Sequence, residues 1–194
     1  MLPIGPLMIE HRLIERMIGI LEDELNQIQK NKEINPIFID NAVDFIRTYA
    51  DQTHHGKEED ILFRELKDKD ISEEHEKTME ELIDEHVFAR RTTRELVEAK
   101  ERFTKGDEDA INTVIEKMQT LVEFYPNHID KEDNHFFEPV MDYFTKEEQD
   151  ALLEEGQIFD RRMIHRKYNS LVTGYESSRG ISSSEQDDDW IEYM

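Results

Sequence analysis

Apolar residues recur every three or four positions along four long stretches of the chain, and this spacing is typical of amphipathic helices. Only 7 Gly and 5 Pro occur among 194 residues, so few positions interrupt such helices. In the first stretch the apolar face is formed by Leu7, His11, Ile14, Ile18, Leu21, Leu25 and Ile28. The pattern therefore predicts an all-α fold.

Turn and capping residues divide the chain into five predicted helices. Pro36 suits a first helical turn, Ser72 suits an N-cap position, and Gly106 interrupts the helical pattern. The expected helices span roughly residues 7–30, 36–66, 72–103, 111–143 and 145–175. Four long helices joined by short turns favour an up-down-up-down four-helix bundle, and the additional C-terminal helix would lie across one end or along one side.

The last nineteen residues differ from the rest in composition. Residues 176–194 contain five Ser, one Gly and the acidic run Asp187-Asp188-Asp189. Low apolar content and dense charge predict a disordered acidic tail after a bundle domain of residues 1–175. Within the tail, residues 190–193 offer a short docking element, so a protein partner bound through the tail is one hypothesis.

Charge and cysteine content exclude several classes of function. The 47 acidic and 24 basic residues give a formal charge of −23, which repels phosphate backbones and anionic lipids, so we expect neither nucleic acid nor membrane as a partner. The absence of cysteine excludes disulfides and thiolate clusters, so any metal must have nitrogen and oxygen ligands. Because there is neither a signal peptide nor a long apolar run, we expect a cytoplasmic location.

Two histidine–glutamate pairs repeat along the chain. His54 and Glu58 lie four residues apart in the second helix, and His128 and Glu132 lie four apart in the fourth. This spacing places both side chains of each pair on one helix face. Each pair also has the same context, because a basic residue precedes the Glu, an acidic residue follows it, and a Phe comes nine residues after the His.

A single histidine precedes each pair at a matching distance. His11 is 43 positions before His54, His86 is 42 positions before His128, and both His11 and His86 follow a Glu. One such histidine alone would be interpreted as a solvated or packing residue, but the matched offsets argue against chance. The chain resembles two copies of a helix pair, which is how helical bundles form dinuclear sites.

The residue types indicate the chemistry of this site. Imidazole suits iron, zinc and copper, and a carboxylate can bridge two cations. Two bridging glutamates, two histidines on each iron and a bridging oxide or hydroxide would leave an open position on both irons. Zinc is not excluded by these ligands. The predicted metal ligands are His11, His54, Glu58, His86, His128 and Glu132.

These motifs resemble the hemerythrin-like family, also called the HHE cation-binding domain. The resemblance covers roughly residues 5–143. It implies a four-helix bundle with two oxide- or hydroxide-bridged iron ions that bind or react with dioxygen, nitric oxide or peroxide, as a sensor, scavenger or store. The residues that carry it are Glu10-His11, His54-x-x-x-Glu58 with Leu62-Phe63, Glu85-His86 followed by Arg90, and His128-x-x-x-Glu132 with Phe136-Phe137.

The chain departs from the family's oxygen carriers in its third helix. Those carriers place two histidines four residues apart there, whereas Leu82 and Arg90 lie four residues before and after His86. With four histidines we expect rapid oxidation by air rather than reversible oxygen carriage. Two alternatives stay open: an iron donor in iron–sulfur centre repair, and an acidic interaction protein without metal whose His–Glu pairs are surface salt links.

The remaining histidines are predicted to lie outside the metal site. His55 is about 100° around the helix from His54, so it should point sideways, either at the surface or beside the ligands without binding the metal. Its loss should lower metal content far less than loss of His54. His135 should line the pocket mouth or pack in the core, whereas His75 should be exposed. His165 should pack, pair with a carboxylate or cover the open end of the bundle.

Overall fold

The computed structural model describes residues 1–178, without the side chains of residues 164, 165 and 168–178. Its regular structure in that range is helical, which confirms the predicted all-α class. Three helices are uniform: α1 (Ile4–Asn31), α3 (Glu73–Thr104) and α5 (Lys146–Ser178). Each bound lies within three residues of its predicted position.

Two helices change their winding where they pass the centre of the molecule. Helix α2 begins as Pro36–Phe45, continues as the π-helical segments Ile46–His55 and Glu58–Leu62, and ends with Phe63–Leu66. Helix α4 comprises Ala110–Lys131, the π-helical Glu132–Phe136, Phe137–Val140 and a 3₁₀ turn at Met141–Tyr143. Of the two His–Glu pairs, His54, Glu58 and Glu132 therefore lie in π-helical segments, and His128 lies four residues before one.

Side-chain caps fix two of the helix starts. The Ser72 hydroxyl accepts a hydrogen bond from the backbone N–H of His75 at 3.2 Å, as its predicted N-cap role requires. The Asn35 side chain accepts one from Phe38 at 3.1 Å in front of Pro36. These caps satisfy backbone donors that the helices cannot pair internally.

The apolar core consists of two clusters separated by a polar layer. Cluster A includes Leu21, Ile39, Leu96 and Leu121. Cluster B includes Leu7, Phe63, Leu82 and Phe136. Burial of each such side chain contributes about 1.5–3 kcal/mol, so both clusters hold the four helices together on either side of the layer. Helices α1 and α3 run from cluster B to cluster A, and α2 and α4 run from A to B.

Helix α5 lies along α2. Its Leu152 joins cluster B, and the ring of Phe159 lies against Gly56. Three ion pairs connect the two helices in opposite chain directions: Arg64–Glu155, Lys57–Asp160 and Asp44–Lys167. Of the two predicted placements for this helix, the structure has the one along the side of the bundle.

Two further expectations concern the predicted C-terminal tail and the predicted absence of a membrane partner. Helix α5 extends through residues 176–178 of the predicted tail, and residues 179–194 lie outside the described residues. Within the described part of the chain, no helix has both the length and the apolar character needed to cross a membrane.

Candidate metal centre

The six predicted ligands meet in the polar layer between the clusters. They come from all four helices α1–α4, and each is at most 3% exposed. They are His11, His54, Glu58, His86, His128 and Glu132. The structure thus brings together residues that are up to 121 positions apart in the chain.

Each of the two glutamates contacts two histidines at once, one with each carboxylate oxygen. Glu58 Oε1 lies 3.2 Å from His54 Nε2, and its Oε2 lies 3.4 Å from His86 Nε2. Glu132 repeats this arrangement, with Oε2 3.2 Å from His11 Nε2 and Oε1 3.3 Å from His128 Nε2. Both carboxylates therefore have the orientation that a bridge between two cations requires.

The contacts define two adjacent positions for a cation. Site 1 is enclosed by His11 and His54, whose Nε2 atoms are 2.8 Å apart, together with one oxygen of each glutamate. Ligand atoms of these four residues all lie within 4.8 Å of one another. Site 2 is enclosed by His86 and His128 with the other oxygen of each glutamate.

Two of the histidines are oriented by a glutamate from the neighbouring helix of the same half. The Nδ1–H of His54 donates to Glu10 at 2.9 Å, and that of His128 donates to Glu85 at 2.8 Å. Such a hydrogen bond fixes the tautomer that leaves Nε2 free to bind a metal. The Glu of each Glu-His dipeptide therefore serves the histidine of the following helix.

The other two histidines are oriented by carboxylates from the opposite half. The Nδ1–H of His11 donates to Asp133, and that of His86 donates to Glu59, both at 2.7 Å. Asp133 directly follows Glu132 in the chain, and Glu59 directly follows Glu58. In each motif the first acidic residue therefore faces the centre, and the second orients a histidine of the other half.

Each outer carboxylate is paired with a cation. The four pairs are Lys57–Glu10, Lys131–Glu85, Arg12–Asp133 and Arg90–Glu59. The lysines are the basic residues of the two repeated motifs, so every charged residue of that pattern has a partner in the site. With the outer carboxylates balanced, the charge that is left inside belongs to Glu58 and Glu132.

The buried atoms at the centre fit metal ions. Among the described residues, the buried side-chain atoms without a hydrogen bond include both carboxylate oxygens of Glu58 and of Glu132, and the Nε2 atoms of His86 and His128. Unpaired buried polar atoms of this kind are costly unless a cation or another partner satisfies them. Imidazole nitrogen and carboxylate oxygen are ligands that iron accepts.

Comparison with known families agrees with this geometry. A model of the hemerythrin HHE cation-binding domain matches residues 2–140, most of the chain. The chain belongs to the hemerythrin HHE cation-binding domain family. No curated protein and no solved structure matches it significantly. The match ends at Val140, so helices α1–α4 form this hemerythrin domain and α5 follows it.

The interior of the hemerythrin domain favours positive charge between its two glutamates. Burial lowers the pKa of His54, but Glu58 and Glu10 raise it to about 10, and the pKa of His86 is raised to about 9 in the same way by Glu132 and Glu59. Burial raises the pKa of Glu132, but the facing histidines lower it overall. Protons and metal ions therefore compete for the same atoms.

His55 lies in the interior of the bundle. It is 1% exposed, and its ring stacks on that of His86, with 3.8 Å between ring centroids and 11° between planes. The ring of His128 lies 5.5 Å away. The ring therefore lies beside the ligand histidines of α3 and α4, so of its two expected positions the one at the surface is wrong.

Neither His135 nor His75 has a described contact with the six residues of the centre. His135 is 67% exposed and lies 3.8 Å from Asp130, so the prediction that it packs in the core is wrong. The π-helical turn at Glu132–Phe136 removes the seven-residue register on which that prediction depends. His75 is half-buried and hydrogen-bonds the Tyr143 hydroxyl at 2.8 Å, and the side chain of His165 lies outside the described residues.

Proposed function

We propose that this hemerythrin domain holds two iron ions, one in site 1 and one in site 2, and that the pair binds or reacts with a small oxidant. The observation that carries the proposal is the position of Glu58 and Glu132, each with one oxygen toward either site. Two iron ions there would each be able to change oxidation state by one electron. Dioxygen, nitric oxide and peroxide are the oxidants that the family resemblance implies, and the role would be that of a sensor, scavenger or store.

The chain's own residues support this role in two ways. The four outer carboxylates keep each Nε2 directed inward, and their cations hold those carboxylates in place. Clusters A and B exclude water on both sides of the polar layer, which strengthens electrostatic interactions inside it.

The alternate direction of α1 to α4 between the clusters supports the up-down-up-down order, which we include in the proposal.

The competing interpretation as a metal-free interaction protein loses its main premise. It requires the His–Glu pairs to be surface salt links, and both pairs are buried. The iron-donor alternative uses the same centre and differs only in what happens to the iron. A cytoplasmic location remains a prediction.

Metal analysis of anaerobically purified protein tests the proposal directly. We expect close to two iron atoms per chain after expression in iron-replete medium, and an optical spectrum that changes when dioxygen or nitric oxide is added to the reduced protein. Transfer of that iron to an apo iron–sulfur protein would favour the donor role. A folded chain that holds no metal after reconstitution with iron or zinc would refute the proposal.

A further inference from the structure

His55 is buried in a way that apolar packing does not explain. Its ring is 1% exposed and lies face to face with His86 and edge-on to His128. A buried imidazole carries two nitrogen atoms that need partners, so an aromatic hydrocarbon ring would serve better if the position required packing alone. Its polar atoms therefore indicate a role.

One nitrogen of His55 is oriented in the same manner as in the four other histidines. Its Nδ1 lies 3.4 Å from Asp51 Oδ1, a long hydrogen bond, and Asp51 accepts a second hydrogen bond from Arg90 Nε at 2.7 Å. Arg90 also donates to Glu59, the carboxylate that orients His86. A single guanidinium thus supports the outer partners of both stacked rings.

The other nitrogen is buried beside the ligand atoms of site 2. Nε2 of His55 is buried without a hydrogen bond, as are the Nε2 atoms of His86 and His128. One ligand atom from each of these three residues lies within 4.8 Å of the others. We propose that His55 is the third histidine ligand of the metal ion in site 2. This inference rests on the proposed function, since it requires that metal ions occupy the centre.

His55 makes the two metal positions unequal. Site 2 would have three histidines and one oxygen from each glutamate, whereas site 1 has two histidines and the same two glutamates. With a shared bridging oxygen, a metal ion in site 2 would have its ligands complete, and His11 and His54 would hold the ion that keeps a position for a small oxidant. This replaces the expectation that both ions keep an open position.

The position of His55 also accounts for the lack of a second histidine one turn from His86 in α3. The two places where oxygen carriers of the family would have another histidine are Leu82 and Arg90. Leu82 is fully buried in cluster B, and Arg90 pairs with Asp51 and Glu59. The ligand absent from α3 is supplied by α2, next to His54.

Proton NMR of the protein loaded with two cobalt(II) ions tests the assignment. A histidine bound through Nε2 keeps its Nδ1–H, which gives a strongly shifted signal that disappears in D2O. We expect five such signals, one of which is lost in His55→Gln while His135→Gln, at an exposed position, keeps all five. A wild-type count of four decides against the assignment even if His55→Gln does not fold.

The outcomes separate this inference from the proposed function. Two bound cobalt ions with four exchangeable signals would overturn the role of His55 and leave the dinuclear centre in place. Failure of the wild-type chain to bind cobalt or iron would overturn the dinuclear centre itself, and the role of His55 with it. Five signals, with one assigned to residue 55 by its loss in the variant, would establish the ligand.

Discussion

Glu85 and Glu81 offer a matched test of what an outer carboxylate does. Both accept a hydrogen bond from Lys131, but only Glu85 also accepts one from the Nδ1–H of His128. We expect Glu85→Gln to weaken metal binding by about 10- to 100-fold, because the orienting charge is lost while the shape is kept. Competition with a chromogenic chelator measures this affinity.

The control at this position is Glu81→Gln. It should leave the affinity unchanged, because Glu81 has no contact with a ligand histidine among those described for it. An equal loss in both variants would mean that the general negative charge of this surface, rather than the bond to His128, supports the metal.

At the scale of single residues, the sequence predicted which residues meet at the centre but not which carboxylates support them. His54–Glu58 and His128–Glu132 are local pairs, so helical geometry alone places each pair on one face. The hydrogen bonds that His11 donates to Asp133 and His86 donates to Glu59 depend on which helices are neighbours, and no local spacing contains that information. The position of His55 was left open for the same reason, because its partners His86 and His128 come from other helices.

At the scale of elements, two glycines in helices should respond in opposite ways to alanine. A Cβ at Gly56 would lie 2.9 Å from the ring of Phe159, which would have to shift and loosen α5, whereas a Cβ at Gly19 would meet no atom within 4 Å. Alanine in a helix gains about 0.5–1 kcal/mol over glycine. Overpacking costs about 1–3 kcal/mol, so at Gly56 the loss should exceed the gain.

Urea denaturation of Gly56→Ala and Gly19→Ala measures this difference. We expect Gly19→Ala to raise the free energy of unfolding and Gly56→Ala to lower it, with about 1–3 kcal/mol between the two variants. A similar gain in both would show that Phe159 moves aside without cost, and that α5 is held mainly by its other contacts.

The helix bounds were predictable, but the winding inside the helices was not. Apolar spacing and caps such as Ser72 locate the ends of helices within a few residues. The π-helical segments around His55 and after Lys131 follow no 3.6-residue pattern, and they depend on the packing of four helices around a polar layer. Residues counted across such a segment, as with His135, are therefore displaced from the predicted face.

For the whole molecule, metal should contribute substantially to stability. Glu58 and Glu132 are fully buried, and each contacts a histidine of the other half. A cation between them offsets the free-energy cost of burying the two charges, which otherwise destabilises the layer between clusters A and B. With free metal at a thousand times its Kd, binding adds about 4 kcal/mol. For a chain of this size that corresponds to roughly 8–16 °C in Tm.

Calorimetry with and without a chelator measures the shift. The double variant Glu58→Gln, Glu132→Gln is the control, because it keeps the side-chain volume but has no charge to neutralise, and its Tm should not respond to the chelator. A wild-type Tm that is also insensitive to chelation would contradict a metal-supported layer.

The exchange of carboxylates between the two halves has a consequence for descent. Glu59 of the first half orients His86 of the second, and Asp133 of the second half orients His11 of the first. If the chain arose by gene duplication, a single ancestral half could not have completed its own centre as a monomer. Two identical halves related by a two-fold axis could have done so, because the crossing bonds would then have passed between the copies. The ancestor of this domain would in that case have been a homodimer whose symmetry axis passed between the two metal positions.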